Sequence, residues 1–176
     1  MTPRVFWIAG FQPGLKWKRN AGRKKRTIAE AVMIAQQNGV QILDSVEFLE
    51  AQPGELKGSW KEWFDDGKEW ETARGPRVTE RRDQYVYWID HYDRQTKTIW
   101  FLVHPDILTS DEGIVAVMTH ELYELSEIRE ACMYNRWRME AYDYAYQVAD
   151  NEKGNFHYEA WEVADKAVQQ MRETKK

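Results

Sequence analysis

Three residues capable of chemistry sit inside an otherwise apolar run, Ile114-Val-Ala-Val-Met-Thr-His-Glu-Leu-Tyr-Glu-Leu125. At about 100° per residue, His120, Glu121 and Glu124 fall on one side of a helix with Val117 and Ile128. Ile114, Leu125 and Ala131 point the same way, so this side should face the core. Two carboxylates and an imidazole turned inwards carry a large desolvation cost unless they are paired or bound to a metal. A metal ion is the simplest compensator. His120 and Glu124, four apart, are spaced to ligate it together, which leaves Glu121 to one side as a general base.

A second inward histidine exists farther along. His157 lies four residues before Trp161 and seven before Ala164, on the face also formed by Ala160, Val168 and Met171. The elements between must bring it back to His120. Thr109-Ser-Asp-Glu112 opens the central helix with a hydroxyl cap and first-turn acids that the helix dipole favours. That helix should run to about Met133, and a second should cover Arg136 to Asp150. After the turn Asn151-Glu-Lys-Gly154, Asn155 caps a third helix that ends in the basic tail Arg172 to Lys176. With a rise of about 1.5 Å per residue, ascent from His120 to Met133 and descent along the second helix nearly cancel. The turn then delivers His157 beside His120. One straight helix from 111 to 150 would instead separate them by roughly 45 Å.

The N-terminal half supplies a sheet. Tyr85 to Ile89 (YVYWI) and Thr98 to Val103 (TIWFLV) are rich in β-branched and aromatic residues. Asp90 to Lys97 provides a polar turn, so the pair reads as an antiparallel hairpin with His91 exposed in the turn. His104 closes the second strand and is expected to be bland. Val5 to Ala9 reads as a short strand, Thr27 with Glu30 as the capping box of a helix ended by Asn38-Gly39, Val40 to Leu43 as a brief strand, and Ser45 to Leu49 as a helical turn or loop. Residues 51–80 read as an irregular, aromatic-rich connection with Trp60, Trp63 and Trp70 and a short helix at Ser59 to Phe64, which would suit a lid over a site. The Gly10 to Lys16 stretch lacks the spacing and the Ser or Thr of a phosphate-binding loop.

Val117-Met-Thr-His-Glu-Leu-Tyr-Glu-Leu125 resembles the active-site helix of zincin metallopeptidases, in which an apolar residue and two more precede HExxH. The apolar Val117, the uncharged pair Leu122-Tyr123 and a strand hairpin ahead of the helix are shared features. One position departs: Glu124 stands where the family has its second histidine. The resemblance implies Zn2+ as cofactor, His120 and Glu124 as ligands and Glu121 as the base. It implies His157 as third ligand, where many zincins place a carboxylate or histidine. That His2Glu set has the membership of a known catalytic zinc shell in permuted order. Three ligands leave a position for water whose pKa the ion lowers to about 7, and hydrolysis of an amide or similar bond follows. The family resemblance covers only this stretch of the chain.

Composition bounds the rest. A chain of 176 residues suits one domain, here α+β, with a small antiparallel sheet followed by a helical half over 109–173. The single Cys132 excludes an internal disulfide and a cysteine-based zinc site, and suits a reducing compartment. No apolar run is long enough to span a bilayer, and the first residues lack a signal-peptide core, so a cytoplasmic protein without a membrane partner is expected. Charge is unevenly spread. Lys16, Lys18, Arg19, Arg23, Lys24, Lys25 and Arg26 cluster around Trp17 without an acid, although the net charge is −4. This basic loop, residues 16–26, reads as a mobile solvated segment. It also supports a second function class, a non-enzymatic module that binds nucleic acid or a partner protein through its cations and Trp17, with the motif helix a degenerate zincin that only binds. The leading expectation is a zinc-dependent hydrolase acting on a peptide or protein substrate.

Overall fold

The computed structural model describes residues 14–43, 46–52, 64–65, 86–93, 98–135 and 156–175, with the side chains of 86–93, 98–100, 128–135 and 156–158 outside that description. Among the described residues the fold is mixed α+β and rich in helix. Its elements are α1 (Ile28–Gln37), β1 (Val46–Glu50), β2 (Val86–Asp93), β3 (Thr98–Val103), α2 (Asp111–Asn135) and α3 (Phe156–Thr174). The Val5 to Ala9 strand, most of the 51–80 connection with its proposed lid, and the Arg136 to Asp150 helix lie outside the described residues.

The sheet corrects the expectation of an antiparallel arrangement. β2 and β3 do pair antiparallel, but β1 runs parallel to β3, with Phe48 opposite Phe101, giving a mixed sheet in the order β1-β3-β2. The segment read as a helical turn is therefore a strand. Val46-Glu-Phe-Leu-Glu50 alternates with period two, Val46 and Phe48 buried and Glu47 and Leu49 exposed. Its glutamates suit a helix locally, yet the stacking of Phe48 on Phe101, with ring centroids 5.4 Å apart, favours the sheet. Val40 to Leu43, read as a strand, is irregular. β2 is longer than expected and continues through His91 to Asp93, with an irregularity in register between Trp88 and Tyr92.

Local signals fix the helix ends. Thr27 and Glu30 form a reciprocal capping box at α1, with backbone-to-side-chain bonds of 3.1 Å in both directions. Gly39, at φ 86°, takes the left-handed conformation that ends the helix, and its N–H donates to the Gln36 carbonyl. At α2, the Ser110 hydroxyl accepts from the Gly113 N–H at 2.9 Å and donates to the Lys18 carbonyl at 2.6 Å. Gly113 also allows a close approach: a Cβ there would lie 3.2 Å from the Trp17 ring.

The basic segment proves to be a structural strap, not a mobile loop. Trp17 is fully buried, edge-on to Phe64 and tilted against Trp161, and it joins the core built by Phe101, Ile114, Met118, Leu125, Ala164 and Val168. Arg19 donates to the Thr109 hydroxyl at 2.6 Å and lies over the Phe64 ring. Arg26 grips both carboxylate oxygens of Asp111 at 2.9 Å, and Lys25 pairs with Glu50. These cations meet acids, hydroxyls and rings far away in sequence, which is why the segment reads locally as unpaired.

Helices α2 and α3 pack antiparallel. Glu112 meets Arg172, His120 meets Trp161 and Tyr123 meets Glu159, so positions advance along one helix as they retreat along the other. Ala160, Trp161, Ala164, Val168 and Met171 form the buried stripe of α3.

Candidate metal centre

Position 120 lies midway along α2, below the stripe of Ile114, Val117 and Met118, so its side chain enters the core between α2 and α3. His120 is 1% exposed and Glu121 3%. The Glu124 side chain, one turn farther on, retains 13%. The helix thus brings together the three residues that the spacing singled out. His120 Nε2 lies 3.1 Å from Glu124 Oε1 and 3.8 Å from Glu121 Oε1. One donor atom from each of the three falls within 4.8 Å of the others.

The face of the imidazole is covered by Trp161, with ring centroids 4.0 Å apart and planes inclined by 37°. An aromatic wall limits the histidine to edge-on contacts through its nitrogens and aligns Nε2 with the carboxylates. Beside it, the Tyr123 hydroxyl donates to Glu159 Oε2 at 2.9 Å, which ties the two helices together at the level of the cluster. From the sequence, Trp161 is only a member of the apolar face of α3, and nothing there singles out Glu159. The shared stripe of His157, Trp161 and Ala164 was the available signal for Trp161.

Electrostatics single out Glu121 within the cluster. Burial, followed by the nearby Glu124 carboxylate, pushes the Glu121 carboxyl well above the usual glutamate range. Without a cation, Glu121 therefore holds a proton more tightly than an ordinary glutamate. His104, in contrast, belongs to a capping arrangement: its Nδ1 accepts from the Asp106 N–H at 3.0 Å, and burial, then Arg19, lowers its pKa to about 4. It is neutral at physiological pH and apart from the cluster.

His157 occupies the first turn of α3, and its side chain lies outside the described residues. Its level in the bundle follows from the helix register. Tyr123 is opposite Glu159, so a position two residues before Glu159 is level with Glu124 and Leu125. Of the basic segment, Lys16, Lys18, Lys24 and Lys25 are exposed, Arg23 is partly covered in a short turn, and Arg19 and Arg26 face inward to their partners. Trp17 has no face available for a base. Asp165 accepts from the Gly14 N–H at 2.8 Å and anchors the start of the described chain.

No protein-family model, curated protein or solved structure matches the chain.

The donor set fits a divalent ion by its chemistry. One imidazole and two carboxylates, all deprotonated when bound, are ordinary ligands for first-row divalent metals. The sum of their charges is −2, so an ion would neutralise two carboxylates that are otherwise costly to keep ionised in a desolvated place. Donor separations of 3.1 and 3.8 Å match two ligands at about 2.0–2.2 Å from a common centre.

Proposed function

We propose that the protein binds one divalent metal ion, Zn2+ being the first candidate, on α2 and is a metal-dependent hydrolase. The observation that carries this reading is the buried convergence of His120, Glu121 and Glu124 on one point. His120 and Glu124 are the ligand pair, held by the i,i+4 geometry of the helix and by the Trp161 wall. His157, level with Glu124, is the third candidate ligand. The ion, when bound, supplies acidified water and electrostatic stabilisation of developing negative charge. Glu124 marks the side from which a substrate would enter, because it is the member of the cluster with solvent exposure. The zincin resemblance makes an amide bond in a peptide or protein the substrate class and Glu121 the proton acceptor. The Glu121 carboxyl is also near enough to His120 to be a donor to the ion itself.

The test is metal analysis combined with a peptidase assay on denatured casein. About one equivalent of metal per chain in protein purified without chelator, with proteolysis that a chelator abolishes and Zn2+ restores, is the expected result. Metal-free protein that takes up no Zn2+ would defeat the reading, as would full uptake by the His120→Ala variant. Binding without any turnover would leave a metal-binding module in place of an enzyme. A nucleic-acid reading through residues 16–26 has no comparable support, since Trp17 is buried and Arg19, Lys25 and Arg26 are engaged within the chain.

A further inference from the structure

We infer that Glu121 is a ligand of the ion and not the proton acceptor of the reaction, so that the centre is a one-histidine, two-carboxylate site even before His157 is counted. This inference rests on the metal-binding reading above and assigns a different role to one of its residues.

Three observations point the same way. First, Glu121 Oε1 is 3.8 Å from His120 Nε2, inside the span of two donors on a common ion, and since the donor atoms all lie within 4.8 Å of one another, a contraction of at most about half an ångström closes the set. A carboxylate reserved for proton transfer would have to stay off the ion, and nothing in this geometry holds Glu121 away. Secondly, a proton acceptor must pass its proton on. Glu121 is 3% exposed and the Glu124 side chain 13%, so Glu124 is the carboxylate with a route to solvent. Thirdly, among the described residues no hydrogen bond reaches the Glu121 carboxyl, its one approach to a group able to carry positive charge is the 3.8 Å separation from His120, and its other charged neighbour is the Glu124 carboxylate. A carboxylate at this depth requires a compensating group. Ligation provides one, whereas the acceptor role leaves the group uncompensated between turnovers.

The chemical consequence concerns which ions are accepted. Replacing imidazole donors by carboxylates moves a site towards ions that favour oxygen, so Mn2+ and Fe2+ join Zn2+ as admissible occupants.

The experiment is calorimetric titration of the full metal-free chain with Zn2+ and, separately, Mn2+, comparing wild type with Glu121→Gln and Glu121→Asp. Gln preserves the shape and hydrogen-bonding reach of the side chain but is a far weaker ligand. Asp preserves the charge but withdraws it by one methylene. The inference predicts that wild type binds one ion and that Glu121→Gln weakens it by about 100-fold or more, in line with the loss of a direct ligand exceeding the 10–100-fold typical of outer contacts. Glu121→Asp should weaken it less. Near-wild-type affinity in Glu121→Gln, with hydrolysis lost, would overturn the inference while leaving the hydrolase reading intact. A wild-type chain that binds neither ion would overturn both. Visible spectra of the Co2+-loaded proteins give a second readout: altered band positions in Glu121→Gln are expected, and superimposable spectra would contradict the assignment.

Discussion

Helix α2 carries two groups of acids about 13 Å apart along its axis, and they are handled in opposite ways. Asp111 and Glu112, in the first turn, are fully answered. Arg26 and Asn20 bind Asp111, while Arg172 binds Glu112 through two bonds of 2.8 and 3.0 Å and the Lys18 N–H adds a third at 2.9 Å. Burial alone would raise the Glu112 carboxyl, but the hydrogen bonds from Arg172 and Lys18 outweigh it and hold the group below its ordinary value. The dipole of the helix N-terminus acts in the same sense. Two and a half turns later, Glu121 has comparable or greater burial, no arginine among the described residues, and a carboxyl driven upward. The first group is a clasp that joins the basic strap to both long helices. The second leaves the buried Glu121 carboxyl raised, with no arginine against it among the described residues, and that difference is the physical case for an ion.

The largest effect should come from undoing the clasp. Arg172→Ala leaves Glu112 buried without its bidentate partner and frees the Lys16 carbonyl that Arg172 also binds. We expect a loss of about 2–3 kcal/mol in urea denaturation at neutral pH, below the range for fully buried pairs because the Arg172 side chain is 30% exposed. The pH dependence has a definite sign. A carboxyl lowered on folding contributes stability above its unfolded value, ordinarily 4.5 for Glu, and loses it as pH falls through the folded value. The wild-type chain should therefore lose this contribution on acidification, and Arg172→Ala should show a shallower acid limb.

The middle of α2 should behave in the reverse sense. Glu121 is raised on folding, so its contribution in metal-free protein is complete below the ordinary value of 4.5 and is lost as pH rises through the folded value. The Glu121 contribution in metal-free protein should decline from the ordinary glutamate value towards neutral pH, seen as the difference from Glu121→Gln, which should gain about 1–2 kcal/mol over wild type at neutral pH. Saturating Zn2+ should invert the slope, because deprotonated ligands bind better as pH rises. A stability difference between metal-free wild type and Glu121→Gln that does not change with pH would erase the contrast between the two groups of acids.

A smaller change provides a reference outside both groups. Thr27→Ala removes the hydroxyl that accepts from Glu30 N–H in the α1 capping box and should cost about 1 kcal/mol, without altering metal affinity. Thermal denaturation and a Zn2+ titration check the two halves of that statement.

What could be read from the sequence was whatever local periodicity and capping encode. The inward placement of His120, Glu121 and Glu124 follows from helical geometry, as do the Ser110 cap, the Thr27–Glu30 box and the α3 stripe through Trp161 and Val168. The β2–β3 pairing followed from aromatic and β-branched runs about a polar turn. Tertiary pairings were not legible. Nothing near Arg19 or Arg26 announces that their partners are Thr109 and Asp111, some ninety residues away, so the strap looked like a free cationic loop. β1 failed for a related reason. Val46-Glu-Phe-Leu-Glu50 suits either secondary structure, and the parallel pairing to β3 that decides it is non-local.

The central claim is that an ion resides where His120, Glu121 and Glu124 converge. Diffraction from crystals of the full chain grown with Zn2+, recorded at the zinc absorption edge, tests it most directly. The account predicts one strong anomalous peak at about 2.0–2.2 Å from His120 Nε2 and from an oxygen of each glutamate. A peak bound elsewhere on the chain, or none between α2 and α3 in zinc-saturated crystals, would contradict it.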